Sequence, residues 1–445
     1  MTRSKQVRIA IMIAAALAAS GCSVFKKGSG PKTPVLGERI PVLTSESDVE
    51  VDPATQALPF TLPAAVANDA WTQSGGNATK SMGQLALGSS LTQAFDVQAG
   101  RGNSLTARLA AAPIVANGRI YTIDTLGAVR AFDAKTGALY WASQTPDDRG
   151  NEASLYGGGI AYDNGRIYAT NGLGYVSAID ERTGGIAWRV RPGGPLRGSP
   201  TIANGALYVV SQDNQIYSLK EDDGSTNWSQ PASLEIAGVF GSASPAVGQG
   251  TVVAGFSSGE LNGYRYENGR QVWQDTLQRT SITTTVSSLS DIDADPVIDN
   301  GQVIAVGQGG RMVALDLISG QRQWELSIAG ISTPWVAGDW VFVVTDQDQL
   351  LCIQRTTGHV RWLTQLPAFL NPKKKKHSVD WVGPVLAGGR LIVGNSIGQL
   401  VSVRAADGAI ISTIDTKMPI TRAPIVANNT LYVLHDNGML TAWRG

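Results

Sequence analysis

The sequence predicts an all-β protein, an eight-bladed β-propeller with four antiparallel strands per blade. Three observations predict it. A glycine-punctuated text recurs at the roughly 40–50-residue period of propeller blades. Each copy opens on a short hairpin signal, and the last copy stops before a fourth strand. The first copy reads Pro113-Ile114-Val115-Ala116-Asn117-Gly118-Arg119-Ile120-Tyr121, then Gly127, then Ala131-Phe132-Asp133-Ala134-Lys135-Thr136-Gly137, then Trp141. Equivalent text returns around Asn164-Gly165, Asn204-Gly205, Gly250, Asn300-Gly301, Asp339, Gly389 and Asn428-Asn429.

Each unit decodes strand by strand. The run before Asn-Gly and the run after it form a two-residue hairpin, because that dipeptide accepts the positive φ the turn demands. A second turn at Gly127 leads to a third strand in which Val129, Ala131 and Asp133 alternate with their neighbours. A Thr-Gly turn then leads to the outer strand that carries the tryptophan. That turn occurs at Gly137, Gly184, Gly224, Gly269, Gly320, Gly358 and Gly408, so seven units are complete. The eighth needs a strand from elsewhere, and Trp71-Thr72-Gln73-Ser74 is expected to supply it. Closing the ring with an N-terminal strand also removes an unpaired edge.

Ahead of the repeat the chain reads as targeting and tether. Arg3, Lys5 and Arg8 precede an apolar stretch from Ile9 to Ala19, too short to span a bilayer. Ala19-Ser20-Gly21-Cys22 resembles a bacterial lipobox, with alanine where leucine is commonest. This assigns 1–21 to a lipoprotein signal peptide and Cys22 to lipidation. Ser23 after the cysteine implies, by the rule for enteric lipoproteins, passage to the outer membrane. Residues 22–68, broken by Pro31, Pro34, Pro41, Pro53, Pro59 and Pro63, read as a flexible tether with a reach on the order of 40 Å. The propeller is expected to occupy 69–445. Cys352, within an apolar run, reads as a core residue.

The spacing Ala131-x-Asp133-x-x-Thr136-Gly137-x-x-x-Trp141 resembles the tryptophan-docking motif of pyrroloquinoline-quinone propellers. Trp141, Trp188, Trp228, Trp273, Trp324 and Trp362 are the expected blade-docking indoles, and Ser412 replaces the seventh. The motif speaks for fold and is nearly silent on function. Two families share it. Quinoprotein dehydrogenases use a quinone with calcium and often a vicinal Cys-Cys disulfide, a pair absent from this sequence. The BamB family, propeller lipoproteins of the outer-membrane β-barrel assembly (BAM) complex, resembles the chain from signal through tether to all eight blades. Leu289-Ser290-Asp291-Ile292-Asp293 is the most telling local match.

Site chemistry favours binding over catalysis, with neither cofactor nor metal expected. His359, His377 and His435 lie in different units without metal-ligand spacing. No glycine-rich phosphate loop opens a helix, and the Gly-x-Ser-x-Gly spellings at Gly255 to Gly259 and Gly394 to Gly398 fall on blade turns between strands rather than on a strand-to-helix elbow. Asp291, Asp293 and Asp295 have the spacing of a calcium loop, but Pro296 and Gln302 stand where it needs glycine and a bidentate acid. Those carboxylates read as solvated or as facing a basic partner. With 36 basic and 36 acidic residues the formal net charge is zero, which argues against nucleic acid. Lys373 to Lys376 form the one strong charge cluster, read as a solvated loop tip, with anionic headgroups or an acidic partner as alternatives.

The connections from Trp228 to Pro245, Trp273 to Pro296 and Trp362 to Pro384 are longer than topology requires and emerge on one face, and the first two flank the fourth blade. Those two carry Leu234, Ile236, Asp291 and Asp293, which read as a protein-binding patch or, for the two apolar residues, as local packing. The resemblance implies that these four contact the periplasmic POTRA domains of BamA. It departs from the family at Ala237, where a basic residue is usual. It further implies a periplasm-facing, lipid-anchored scaffold that aids folding and insertion of unfolded outer-membrane clients. The alternative is a quinone-dependent dehydrogenase.

Overall fold

The computed structural model describes residues 49–145, 156–234, 243–278 and 290–445. Cys22, Ile236 and Ala237 therefore lie outside the described residues. Eight four-stranded antiparallel sheets form the blades. Blade 1 runs from the channel outward as Ile114–Ala116, Arg119–Ile123, Ala128–Asp133 and Leu139–Gln144. Blades 2 to 7 repeat the order, their innermost strands being Ile160–Asp163, Thr201–Ala203, Ala246–Gly248, Val297–Asp299, Trp335–Ala337 and Trp381–Ala387. Blade 8 joins Ile425–Ala427, Thr430–Leu434 and Met439–Arg444 to a strand from far upstream, Thr92–Gln98. The inner two or three strands of each blade are buried and carry the apolar core between blades.

The sequence expected Trp71 to Ser74 to close the ring. The closing strand is instead Thr92–Gln98, and Thr92 pairs with Arg444 while Gln98 pairs with Met439. Trp71 is engaged elsewhere. Residues 68–88 run around the channel and bond to every blade in turn. Asn68 O accepts from Asn428 N at 2.8 Å in blade 8, and Trp71 exchanges two bonds with Val115 in blade 1. Thr72 O accepts from Tyr162 N at 2.7 Å, and Gln73 Oε1 from Ile202 N at 2.9 Å. Ala78 O and Thr79 O each accept at 2.8 Å, from Val247 N and Ile298 N. Gly83 O accepts from Trp335 Nε1, and Leu85 bonds Leu386 O and Gly388 N. An innermost strand has no partner on its channel side, so this collar satisfies backbone groups that would otherwise face a narrow pore.

Residues 51–63 were expected within the flexible tether, yet they lie against blade 6. A one-turn helix, α1 (Pro53–Gln56), is capped by Asp52, whose carboxylate accepts from Ala54 N and Thr55 N. Val51 bridges Val360, Arg361 donates to the carbonyls of Thr55 and Leu58, and Trp340 Nε1 donates to Thr61 O. Phe60 stacks on Trp340 with centroids 5.3 Å apart. Prolines suggested a coil, but the segment is fastened to blade 6 through Val51, Thr55, Leu58, Phe60 and Thr61.

The six docking tryptophans share one geometry. Trp141 Nε1 donates to Glu181 O in the next blade at 2.9 Å, and Trp273 Nε1 to Leu317 O at 2.8 Å. Trp188, Trp228, Trp324 and Trp362 donate likewise to Glu221, Tyr266, Arg355 and Ala405. Each ring lies against a turn glycine of that next blade. A Cβ on Gly320, at φ +69°, would stand 2.5 Å from Trp273. Asp133 Oδ1 accepts from Thr136 N and Thr136 Oγ1, which fixes the turn that presents such a glycine. Cys352 is fully buried, and burial raises its thiol pKa, as suits a core residue.

Candidate functional site

The long connections and the starts of the innermost strands share one face, where the channel opens into a cavity of about 440 Å³. The collar forms its floor through Trp71, Ser74, Gly75 and Lys80. The channel is thus a blind cup, accessible from the face that carries the connections. Trp335 and Trp381 contribute aromatic wall, and Arg197, Asp293, Asp295, Gln308 and Arg422 contribute polar wall.

Asp291, expected on a solvated loop, is 1% exposed and sits 3.7 Å from Arg197 Nη1. Asp293 is half-buried in the cup wall and accepts from Gln308 Nε2. Burial, with Asp291 nearby, pushes its pKa up to about 6, against the pull of Arg197. Asp295 is buried beside Lys80 and accepts from Ser74 Oγ and Ser244 N, both at 2.6 Å. Its pKa is raised by burial, while burial lowers that of Lys80 to about 8. The three aspartates thus face three different sets of partners. They do not converge as a calcium loop would, and among the described residues no group of three His, Cys, Asp or Glu could hold a metal.

Leu234 is 76% exposed at the end of the described part of its connection. Two residues that sequence reasoning passed over tie it to the Asp291 segment. Asn214 Nδ2 donates to Ser233 O at 2.7 Å, and Asn214 Oδ1 accepts from Ser257 Oγ at 2.8 Å. Ser257 O in turn accepts from Ser290 Oγ at 2.9 Å. Asn214 occupies the position of Gly127 and adopts φ +57°, a conformation costly to most side chains. That departure from glycine was the available signal: the side chain joins the two connections into one surface. His435 is buried between Met418 O and Thr441 Oγ1, and exposed His359 lies 3.2 Å from Asp52. Neither lies among the residues that form this face.

A quinone-and-calcium centre would need free carboxylate and amide ligands in the channel. Here Asp295 is bonded to the collar and Asp293 to Gln308, so the donor set does not fit. The fold defines a propeller of the quinoprotein-like repeat class, with a cup open on the face that carries the connections.

The profile of the family described as outer membrane protein assembly factor BamB matches residues 126–364 and 370–444. The chain belongs to this family. It is accordingly a non-catalytic lipoprotein of the outer membrane, facing the periplasm. It is similar to the outer membrane protein assembly factor BamB of Yersinia pestis, 25% identical over 73% of this chain and 81% of that one. The Escherichia coli K12 protein of that name is 27% identical, over 73% and 82%. The crystal structure of BamB from Moraxella catarrhalis superposes with a TM-score of 0.67 at 20% identity, covering 80% of this chain and all of that one. Quinohemoprotein alcohol dehydrogenase from Comamonas testosteroni gives 0.63 at 14% identity over 88% and 83%, a likeness of fold alone.

Proposed function

We propose that the face flanking blade 4 docks the periplasmic POTRA domains of BamA, and that the scaffold thereby helps the BAM complex fold and insert β-barrel clients. The observation that carries this is the join between the two connections: exposed Leu234 is tied through Asn214 and Ser257 to the segment bearing Asp291 and Asp293. Leu234 and Ile236 supply apolar contact. Asp293 presents charge at the wall of the cup, and Asp291 acts indirectly by positioning Arg197.

Titrating purified BamA periplasmic domain tests the reading. The pair Leu234→Ala with Ile236→Ala should weaken binding by roughly 1.5–3 kcal/mol per fully covered side chain, with little dependence on salt. Reversing both Asp291 and Asp293 should reduce binding and also lower thermal stability, because Asp291 is buried. Unchanged affinity of the Leu234/Ile236 pair, with the fold intact, would remove this face as the docking site.

A further inference from the structure

Blade 4 carries a carboxylate that serves the connection of its neighbour. Glu260 opens the third strand, Glu260–Arg265, directly after the turn at Gly259. In the other blades the residue after that turn is neutral or basic, as at Ala128, Gln215 and Arg311. Here the side chain crosses the boundary between blades and holds the connection leaving blade 3. Glu260 Oε2 accepts from Ser233 N at 2.9 Å, and Oε1 accepts from Ser233 Oγ at 2.6 Å. Gln274 Nε2, from the outer strand of blade 4, donates to Oε1 at 3.1 Å and steadies the carboxylate.

Ser233 is thereby fixed at all three of its polar groups. Its carbonyl accepts from Asn214 Nδ2 at 2.7 Å, and the preceding amide, Ala232 N, donates to Asn214 O at 2.8 Å. Blades 3 and 4 grip one exposed residue from two sides, and the residue after it is Leu234, 76% exposed. Paired bonds to one carboxylate are charge-assisted and directional, and hold better than neutral bonds at an exposed position. Ser233 lies beyond the outer strand Thr226–Pro231, so the clamp adds nothing to a blade ladder. What it fixes is the direction in which Leu234 leaves the blade.

We propose that Glu260 is a positioning residue for partner docking, holding Ser233 so that Leu234 meets the partner on an ordered backbone. The inference rests on the docking reading above, which gives contact to Leu234 and no role to Glu260. A contact residue ordered in advance avoids a loss of backbone freedom on binding that corresponds to roughly tenfold in affinity.

The test titrates purified BamA periplasmic domain against variants of the full-length mature chain carrying Cys22→Ser, with melting curves and hydrogen exchange alongside. Glu260→Ala should weaken binding about tenfold and speed exchange of the Ser233 amide. Glu260→Gln should stay within about twofold of the parent, because its amide group still accepts from Ser233 N and bonds Ser233 Oγ. A contact made by the carboxylate itself would be lost equally in both variants and would depend strongly on salt. In a chain already carrying Leu234→Ala and Ile236→Ala, Glu260→Ala should add little, since the residues it positions are gone. Parent affinity for Glu260→Ala, equal losses for alanine and glutamine, or a fully additive loss in the triple variant overturns the inference. Ser233→Ala removes only the Oγ donor and decides the matter if Glu260→Ala does not fold: a smaller loss supports the clamp, and parent affinity overturns it. If the Leu234/Ile236 pair binds like the parent, the docking reading fails and this inference with it. A weakened pair beside an unaffected Glu260→Ala removes this inference alone.

Discussion

Asp293 is subject to two opposing effects. Arg197 and Gln308 favour its charged form, while burial and Asp291 disfavour it more strongly, leaving a pKa of about 6. A carboxyl whose folded pKa lies above its unfolded value binds protons preferentially in the folded state. Its contribution is complete below the unfolded pKa of 3.8 and is lost as pH rises through about 6. Burial raises Asp348 to about 6 and Glu221 to about 7, in the same direction. The turn aspartates Asp133, Asp180 and Asp316 are shifted down by their hydrogen bonds and act only at lower pH. Urea unfolding should therefore show greater stability near pH 5 than near pH 7. Asp293→Asn should add up to about 3 kcal/mol at pH 7 and much less near pH 4. An equal gain at both pH values would show that the carboxylate is not desolvated. Sequence reasoning singled out Asp291 and Asp293 by local match but placed them on a solvated loop. Their burial depends on Arg197 and Gln308, which arrive from blades 3 and 5 and leave no trace in local spacing.

At the level of strands, the repeat was legible wherever a turn joins neighbours and illegible where the ring closes. Each docking indole needs a turn glycine in the following blade. In blade 8 the third and fourth strands, Met439–Arg444 and Thr92–Gln98, are not joined by a turn. Ser412 therefore has no such glycine to pack against, which accounts for the missing tryptophan. At the seam between blades 8 and 1 the indole's work is divided. Phe95 packs on Gly137, where an added Cβ would stand 2.7 Å from the ring. The carbonyl of Ala134 accepts from Arg444 Nη2 at 3.0 Å and from Tyr432 OH at 3.1 Å. Arg444→Ala removes that donor and a second bond to Lys135 O, and should cost about 1–3 kcal/mol. Hydrogen exchange should accelerate first in Thr92–Gln98. Uniform acceleration around the ring would mean that the seam is no weaker than the other junctions. A strand so far upstream of its partner carries no repeat signature, and Trp71 drew the expectation because a tryptophan marks the outer strand elsewhere.

For the whole ring, the collar changes what kind of object the propeller is. Blades interact chiefly with neighbours, so a propeller without a collar is fastened at one seam. Here residues 68–88 bond to all eight innermost strands and close one end of the channel. Gly75 and Gly76, at φ +71° and +93°, turn the chain within the pore. Lys80 Nζ then donates to Ser74 O and Thr201 Oγ1, both at 2.9 Å, which pins the loop to blade 3. Each innermost amide that bonds the collar would otherwise depend on channel water. Gln73→Ala leaves the N–H and C=O of Ile202 without their side-chain partner and should cost about 1–3 kcal/mol. Joining residue 67 directly to residue 89 is the stronger experiment, since the closing strand stays in place. The amides of Tyr162, Ile202, Val247, Ile298 and Asn428 should then lose exchange protection together, while second-strand amides such as Val209 and Ile304 keep theirs. Retained protection at those five would mean that water in the pore serves them as well as the collar does. Their joint loss would show that the N-terminal segment binds the eight blades into one cooperative unit.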